Sequence, residues 1–239
     1  MRRRVSQVVT IAWRLARLTL SHIKEIICAY WRIACIQVKH PNLKCHPTAD
    51  IRIAGILIVE GPVHIGKNSK IHVVKGSRLE FGGKNMILEN VWISPSTIIK
   101  IGYDVSIQDD CHILGEVMIG AGTLLAPRVF ICSSIHSFRG LLAKNILPWL
   151  PIRFQDKIVP RQDELVSIGC DCWVGINSIF LPGSSIGNGC IVGASSIVIG
   201  QQPGSYLIYA GSPVRQIGIR WFAAAKQIKA DDDFDSLPG

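Results

Sequence analysis

Four histidines fall in the central part of the 239-residue chain, His64, His72, His112 and His136, at separations of 8, 40 and 24. A neutral imidazole, with a pKa near about 6.5, is the side chain best suited to take a proton close to neutrality. Eight cysteines accompany them, but there is no CxxC and no paired zinc spacing, and Cys170 with Cys172 makes only a CxC. Cys132-x-x-x-His136 is not a recognisable nucleophile signature, so covalent catalysis by that thiol is not expected. Asp109 and Asp110, side by side, could hydrogen-bond the hydroxyls of a ligand or be plain solvated carboxylates. Trp149 offers a ring on which a ligand ring could stack.

The elements that must hold these groups are set by a repeat of six. Ile101, Ile107, Ile113, Ile119, Leu125 and Ile131 recur at that spacing, and so do Ile168, Val174, Phe180, Ile186, Val192 and Val198. Glycine often follows the apolar residue, and four residues on stands a small or compact one: Val105, Cys111, Val117, Thr123 and Val129, then Cys172, Ser178, Ser184, Cys190 and Ser196. Neither a helix nor an amphipathic strand has this period. A short strand followed by a corner does: each hexad spans one side of a prism, sends its aliphatic residue inward and turns on a small residue. Three sides make a coil of 18 residues. The reading predicts an all-β solenoid over residues 45–213, and it places Cys111, Cys172 and Cys190 in corner slots of the core. The hexads start near Ile65 and Ile71 and lose register across Gly76 to Asn90.

From Ile131 to Ile168 is 37 residues without the pattern, rich in proline and basic side chains. A loop of about 30 residues is expected to leave the prism there, over roughly 137–166, and loops of that length are usually functional or disordered. Leu147, Trp149, Leu150 and Phe154 make it too apolar for simple disorder, so it reads as a lid.

Net charge is +9, and residues 1–44 carry +8 of it, nine Lys/Arg against Glu25 alone. A charge confined to one terminal segment argues against a nucleic-acid-binding surface on the folded body. Residues 1–44 read as a basic amphipathic helical segment in which no apolar run approaches the roughly 18 to 20 residues of a spanning helix. Its wide apolar face either packs on the body or a neighbouring subunit, or lies in a membrane interface with Arg and Lys reaching anionic head groups. The tryptophans and Arg2, Arg3 and Arg4 tilt the reading toward peripheral membrane contact through residues 1–40. Residues 214–239 are expected to form a short helix to Lys229 and an acidic tail. The cysteines read as reduced and the protein as cytoplasmic, at the inner face of the cell membrane if the segment binds lipid.

Three stretches carry a family resemblance: Val117 to Ile131 followed by His136, Cys172-Trp173-Val174-Gly175 to Gly183, and Ile191 to Val198 with Ala210-Gly211-Ser212-Pro213-Val214-Arg215 closing the repeat. Over about residues 50–220 the chain resembles the hexapeptide-repeat acyltransferases with a left-handed parallel β-helix, in particular the maltose, galactoside and polysaccharide O-acetyltransferases. The resemblance implies a homotrimer that moves an acetyl group from acetyl-CoA, with no metal, to a glycan hydroxyl of a surface polysaccharide or its lipid-linked precursor. It implies His136 as the general base, and Trp173, Gly175, Ala194, Ser196, Gly211 and Arg215 along the coenzyme A channel, with Arg215 meeting phosphate. His112 shares the hexad phase of His136, so it stands at another edge and would approach a neighbour's site in a trimer. Ile199-Gly200 replaces the family's Thr-Lys, and Ser133, Ser134 and Ile135 stand where the family often has Asp or Asn before its histidine. Two other functions fit such a prism: a γ-type carbonic anhydrase, whose zinc needs two histidines closer together than any of the four here, and a non-catalytic trimeric scaffold. Serine acetyltransferases and sugar nucleotidyltransferases are disfavoured by the segment before the repeat, which has no nucleotide-binding pattern.

Overall fold

The computed structural model describes residues 23–24, 27–135 and 162–220. Its body is a parallel β-solenoid of about seven turns, a left-handed β-helix of hexapeptide repeats. One face stacks Leu43–Cys45, Val63–Ile65, Asn85–Ile87, Ser106–Ile107, Leu124–Leu125, Trp173–Val174, Ile191–Val192 and Leu207–Gly211. The second begins with Asp50–Ile53 and Lys70–Val73 and ends with Phe130–Cys132, Ile179–Phe180 and Ile197–Val198. The third runs from Ile56–Val59 and Arg78–Phe81 to Val166–Ile168, Ser185–Ile186 and Gln201–Gln202. Two longer strands, Trp92–Ile101 and His112–Ile119, bend round the corner between the second and third faces and belong to both.

The twelve hexad residues all point inward, none more than 4% exposed. The small residues two positions before them are buried as well, and for the polar ones other than Ser184, whose hydroxyl finds no partner among the described residues, a hydrogen bond explains the type. Thr123 Oγ1 donates to the Gly169 carbonyl of the next coil at 2.9 Å and accepts from Cys172 N–H at 3.2 Å; Ser178 Oγ donates to Gly193 O at 3.0 Å. The Cys111 thiol donates to Ala126 O at 3.2 Å. A buried corner leaves carbonyls that the ladder does not use, and a short hydroxyl or thiol satisfies them without filling the turn. Cys111, Cys172 and Cys190 are buried in these corners, as expected.

The loss of register across Gly76 to Asn90 is a change of corner length, not of fold. From the second face to the third, Ile51 to Val59 and Ile93 to Ile101 take eight residues, Ile71 to Phe81 takes ten, and Ile113 to Ile119 takes the regular six. The added residues come in twos and fours. Because side chains alternate between the two sides of a strand, an even insertion shifts the hexad phase while keeping every aliphatic residue inside.

Residues 27–39 form a helix over the first coil, with Ile33 buried and Ile36 packed on the core. No helix among the described residues is long and apolar enough to cross a membrane. At the other end the chain departs from expectation: Val214–Ile219 is a strand, antiparallel to Leu207–Gly211, and not the start of a helix. The last coil presents an unpaired ladder on the first face, and the returning chain covers it, the ordinary remedy for an open edge. Arg220 fastens the strand, its guanidinium bonding the Asp171 carboxylate at 3.0 Å and Gly189 O at 3.0 Å. Residues 221–239 lie outside the described residues.

Candidate active site

The edge between the first and second faces is built from one three-residue corner per coil: Gln108-Asp109-Asp110, Ala126-Pro127-Arg128, Gly175-Ile176-Asn177, Gly193-Ala194-Ser195 and then Ala210-Gly211. The third residue of each full corner has positive φ (Asp110 59°, Arg128 60°, Asn177 60°, Ser195 55°). Asn and Asp tolerate that region better than most side chains, which is why they recur three residues before the buried aliphatic position. Backbone bonds join the corners along the edge: Arg128 N–H to Asp109 O at 2.9 Å, Asn177 N–H to Pro127 O at 3.1 Å, Ser195 N–H to Ile176 O at 2.8 Å.

Four of the six residues expected to line the coenzyme A channel lie on this edge. Gly175 packs under the next corner so closely that a Cβ there would stand 2.6 Å from Ala194 N. Ala194 is exposed. Ser196 is fully buried and its hydroxyl accepts the Gly211 N–H at 3.1 Å, so it shapes the corner from within. The other two join them by different routes. Trp173 precedes Gly175 on the first face, 53% exposed and flanked by Leu124 and Ile191. Arg215 is delivered by the antiparallel strand, paired opposite Ala210, exposed and with no hydrogen-bond or ion-pair partner among the described residues. Four of the six are exposed along one strip, Trp173, Ala194, Gly211 and Arg215, while Gly175 and Ser196 are buried and shape its corners from within. An extended ligand with a flat ring system and phosphates matches such a strip.

Asp109 and Asp110 lie on the same edge, two to four coils earlier. Asp109 Oδ1 accepts Glu89 N–H at 2.8 Å and Asp110 supplies the left-handed corner, so both have work in the turn. His112 sits on the second face between Trp92 and Phe130, ring centroids 5.7 and 5.9 Å away. His136 and Trp149 lie outside the described residues. His64 is on the first face and His72 on the second, its Nε2 2.9 Å from Asp50 Oδ2; no three potential metal donors come together among the described residues.

The long loop leaves from the edge between the second and third faces, and its neck is described. Ser134–Ile135 pairs antiparallel with Gln162–Asp163. Asp163 Oδ1 accepts from Ser134 Oγ at 2.5 Å and from the buried Ser133 Oγ at 3.3 Å, while Ser133 Oγ itself receives the Glu116 N–H at 2.7 Å. Gly115 lies beneath: it has φ +98°, and a Cβ there would fall 2.0 Å from Ser133 Oγ. Asp163 was not evident from the sequence, since the hexad pattern is silent across the loop; the signal available was the polar run Gln162-Asp163-Glu164 just before the repeat resumes at Val166.

Two of the buried corner thiols are quiet. Burial pushes Cys172 up to about 12 and Cys111 up to about 11, so neither is a thiolate at neutral pH.

Comparison with known proteins agrees with this construction. The family described as bacterial transferase hexapeptide (six repeats) matches residues 166–200. Rv3034c of Mycobacterium tuberculosis, named a probable acetyltransferase, is 25% identical over 92% of this chain and 66% of its own length. WbbJ of Escherichia coli, named a putative lipopolysaccharide biosynthesis O-acetyl transferase, is 32% identical over 66% of this chain and 72% of its own length. The galactoside O-acetyltransferase of Escherichia coli is 28% identical over 54% of this chain and 61% of its own length. With its repeat matched and an O-acetyl transferase aligned over most of that protein's length, the chain belongs to the hexapeptide-repeat O-acetyltransferase family, enzymes that take their acetyl group from acetyl-CoA.

Proposed function

We propose that this protein transfers the acetyl group of acetyl-CoA to a sugar hydroxyl of a surface polysaccharide or its lipid-linked precursor. The observation that carries the reading is the single strip formed by the exposed residues Trp173, Ala194, Gly211 and Arg215, which three coils and a return strand bring side by side. Relatives assigned to lipopolysaccharide biosynthesis and to galactoside acetylation support a sugar as the acceptor.

In this reading the indole of Trp173 covers the cofactor's apolar arm and Arg215 meets a phosphate. The acceptor oxygen attacks the thioester carbonyl while His136, as neutral imidazole, takes its proton. The tetrahedral intermediate collapses with loss of the C–S bond, and the departing thiolate of coenzyme A receives the proton. Backbone N–H groups of a glycine-rich corner hold the oxyanion. The acyl group passes directly, which accords with the raised thiols of Cys111 and Cys172. The loop that bears His136 starts from one edge of the second face and the cofactor strip runs along the other, which supports a homotrimer in which the base of one subunit serves the strip of its neighbour.

The test is direct. The protein is incubated with acetyl-CoA and a panel of galactoside and polysaccharide acceptors, and released thiol and acceptor mass are followed. An acceptor that gains one acetyl group per thiol released, with loss of turnover in His136→Ala, is the expected result. Equal turnover by His136→Ala overturns the assignment of the base, and thiol release that never acetylates an acceptor hydroxyl overturns the reaction.

A further inference from the structure

The helix over residues 27–39 has two apolar sides with different fates. Placed at about 100° per residue, Ala29, Ile33 and Ile36 lie on one arc, and that arc is the one turned to the prism: Ile33 is buried, Ile36 packs on the core and Ala29 is half-buried. Ile23, Ile27, Tyr30, Trp31, Ala34 and Val38 lie together on roughly the opposite arc, about 100° wide. All six are exposed, Trp31 by 71% and Val38 by 84%. Packing on the body therefore uses one stripe and leaves a second with no cover among the described residues.

What borders that second stripe identifies its occupant. Lys24, Lys39 and Arg32 fall along one flank and are exposed, Arg32 also lying 3.7 Å from Asp50. Between the helix and the first coil a groove of about 840 Å³ is lined by Trp31, Cys35, Ile36 and Ile53 with Arg32 and Lys39 among its walls, an apolar slot with cationic groups beside it. The 22 residues that precede Ile23 contain five arginines and no acidic residue. An apolar stripe carrying Trp and Tyr, bordered by basic side chains, is complementary to a surface of anionic head groups over acyl chains. A second copy of this chain would bring the same positive charges against one another.

We infer that this helix docks the protein on an anionic lipid surface, with the stripe Ile23, Ile27, Tyr30, Trp31 and Val38 in the interface and Lys24, Arg32 and Lys39 on head-group phosphates. Because the opposite side of the helix caps the first coil, the solenoid stands with that end toward the lipid. The inference is independent of the acceptor, since it rests on the helix alone.

The full-length protein is sedimented with vesicles of phosphatidylcholine containing phosphatidylglycerol, and with vesicles of phosphatidylcholine alone. Two double variants are compared with it, Ile27→Glu with Val38→Glu, and Lys24→Glu with Lys39→Glu; all four side chains are exposed, and unchanged thermal unfolding confirms intact folding. Sedimentation with the anionic vesicles, weakened about tenfold or more in both variants and on uncharged lipid, is the expected outcome. Binding by the variants equal to that of the parent, or no binding by the parent to anionic vesicles, overturns it. A fall in oligomer mass for Ile27→Glu with Val38→Glu in sedimentation velocity, with vesicle binding unaltered, would assign the stripe to a second copy instead.

Discussion

The Ser134 hydroxyl donates to Oδ1 of Asp163 at 2.5 Å, closing the neck of the loop that carries His136. These two residues are 29 apart in sequence, and the same carboxylate oxygen lies 3.3 Å from the Ser133 hydroxyl. A charged acceptor held by two hydroxyls fixes the direction in which the chain leaves the prism, two residues before His136. Asp163→Ala is expected to lower kcat about tenfold or more, the equivalent of about 1.4 kcal/mol in the barrier. The KM for acetyl-CoA should stay within about twofold, because the strip proposed for the cofactor lies on a different edge. Steady-state kinetics separates the two; equal loss in both parameters would mean general damage to the fold.

A methyl group at Gly175 has nowhere to go. The atoms it would meet, Ala194 N at 2.6 Å and Ala194 Cα at 2.9 Å, are backbone of the neighbouring corner. Gly175→Ala should cost about 1–3 kcal/mol by overpacking, seen as a Tm lower by a few degrees, and should also weaken acetyl-CoA binding by displacing Ala194. An unchanged Tm would show that the coils separate more readily than their hydrogen bonds imply.

The thiols divide by place. Cys28, Cys35 and Cys170 are exposed, whereas Cys111, Cys172 and Cys190 are buried in corners. Burial pushes Cys172 up to about 12 and Cys111 up to about 11. A thiol reagent at neutral pH should modify the exposed three in the native protein and reach the buried three only on unfolding, as read by peptide mass mapping. Fast native labelling of Cys172 would contradict the corner assignment.

Asp50 joins the helix to the prism, 3.7 Å from Arg32, 2.8 Å from Arg52 and 2.9 Å from His72. Burial raises its pKa, but hydrogen bonds from Arg52 and His72 outweigh that, and the carboxyl ends below its ordinary 3.8. A lowered pKa means that the ionised group contributes stability above 3.8 and loses it as pH falls through the folded-state value. Asp50→Asn should therefore destabilise the protein near neutrality, by about 1 kcal/mol or less for a partly exposed pair. Denaturant unfolding across acidic pH should show the two proteins converging once the carboxyl is protonated. A difference that persists there would point to lost packing, not lost charge.

The solenoid was legible because one periodicity has one geometric meaning: Ile101 to Ile131 and Ile168 to Val198 recur by six and all are inside. Gly76 to Asn90 obscured it because corners can lengthen by two or four residues without turning a side chain from inside to outside. Trp173, Gly175, Ala194 and Gly211 were legible only through the family resemblance, because the repeat fixes where a corner stands and not what it binds; Asp163 was not legible at all, since pairing across a loop neck leaves no period. The helix could be read only as broadly apolar; which stripe meets the prism depends on Ile33 and Ile36 lying over the first coil. Val214–Ile219 became a strand because an open ladder was waiting for it, a tertiary cause that local sequence does not contain.

The central claim is that the strip holds acetyl-CoA, and thermal unfolding with and without that ligand tests it most directly because no acceptor is needed. At about 100 times Kd the ligand should stabilise the fold by roughly 2.7 kcal/mol. The account predicts a saturable rise in Tm of several degrees that is retained in His136→Ala and weakened in Arg215→Ala. No rise at saturating acetyl-CoA, or a full rise in Arg215→Ala, would contradict it.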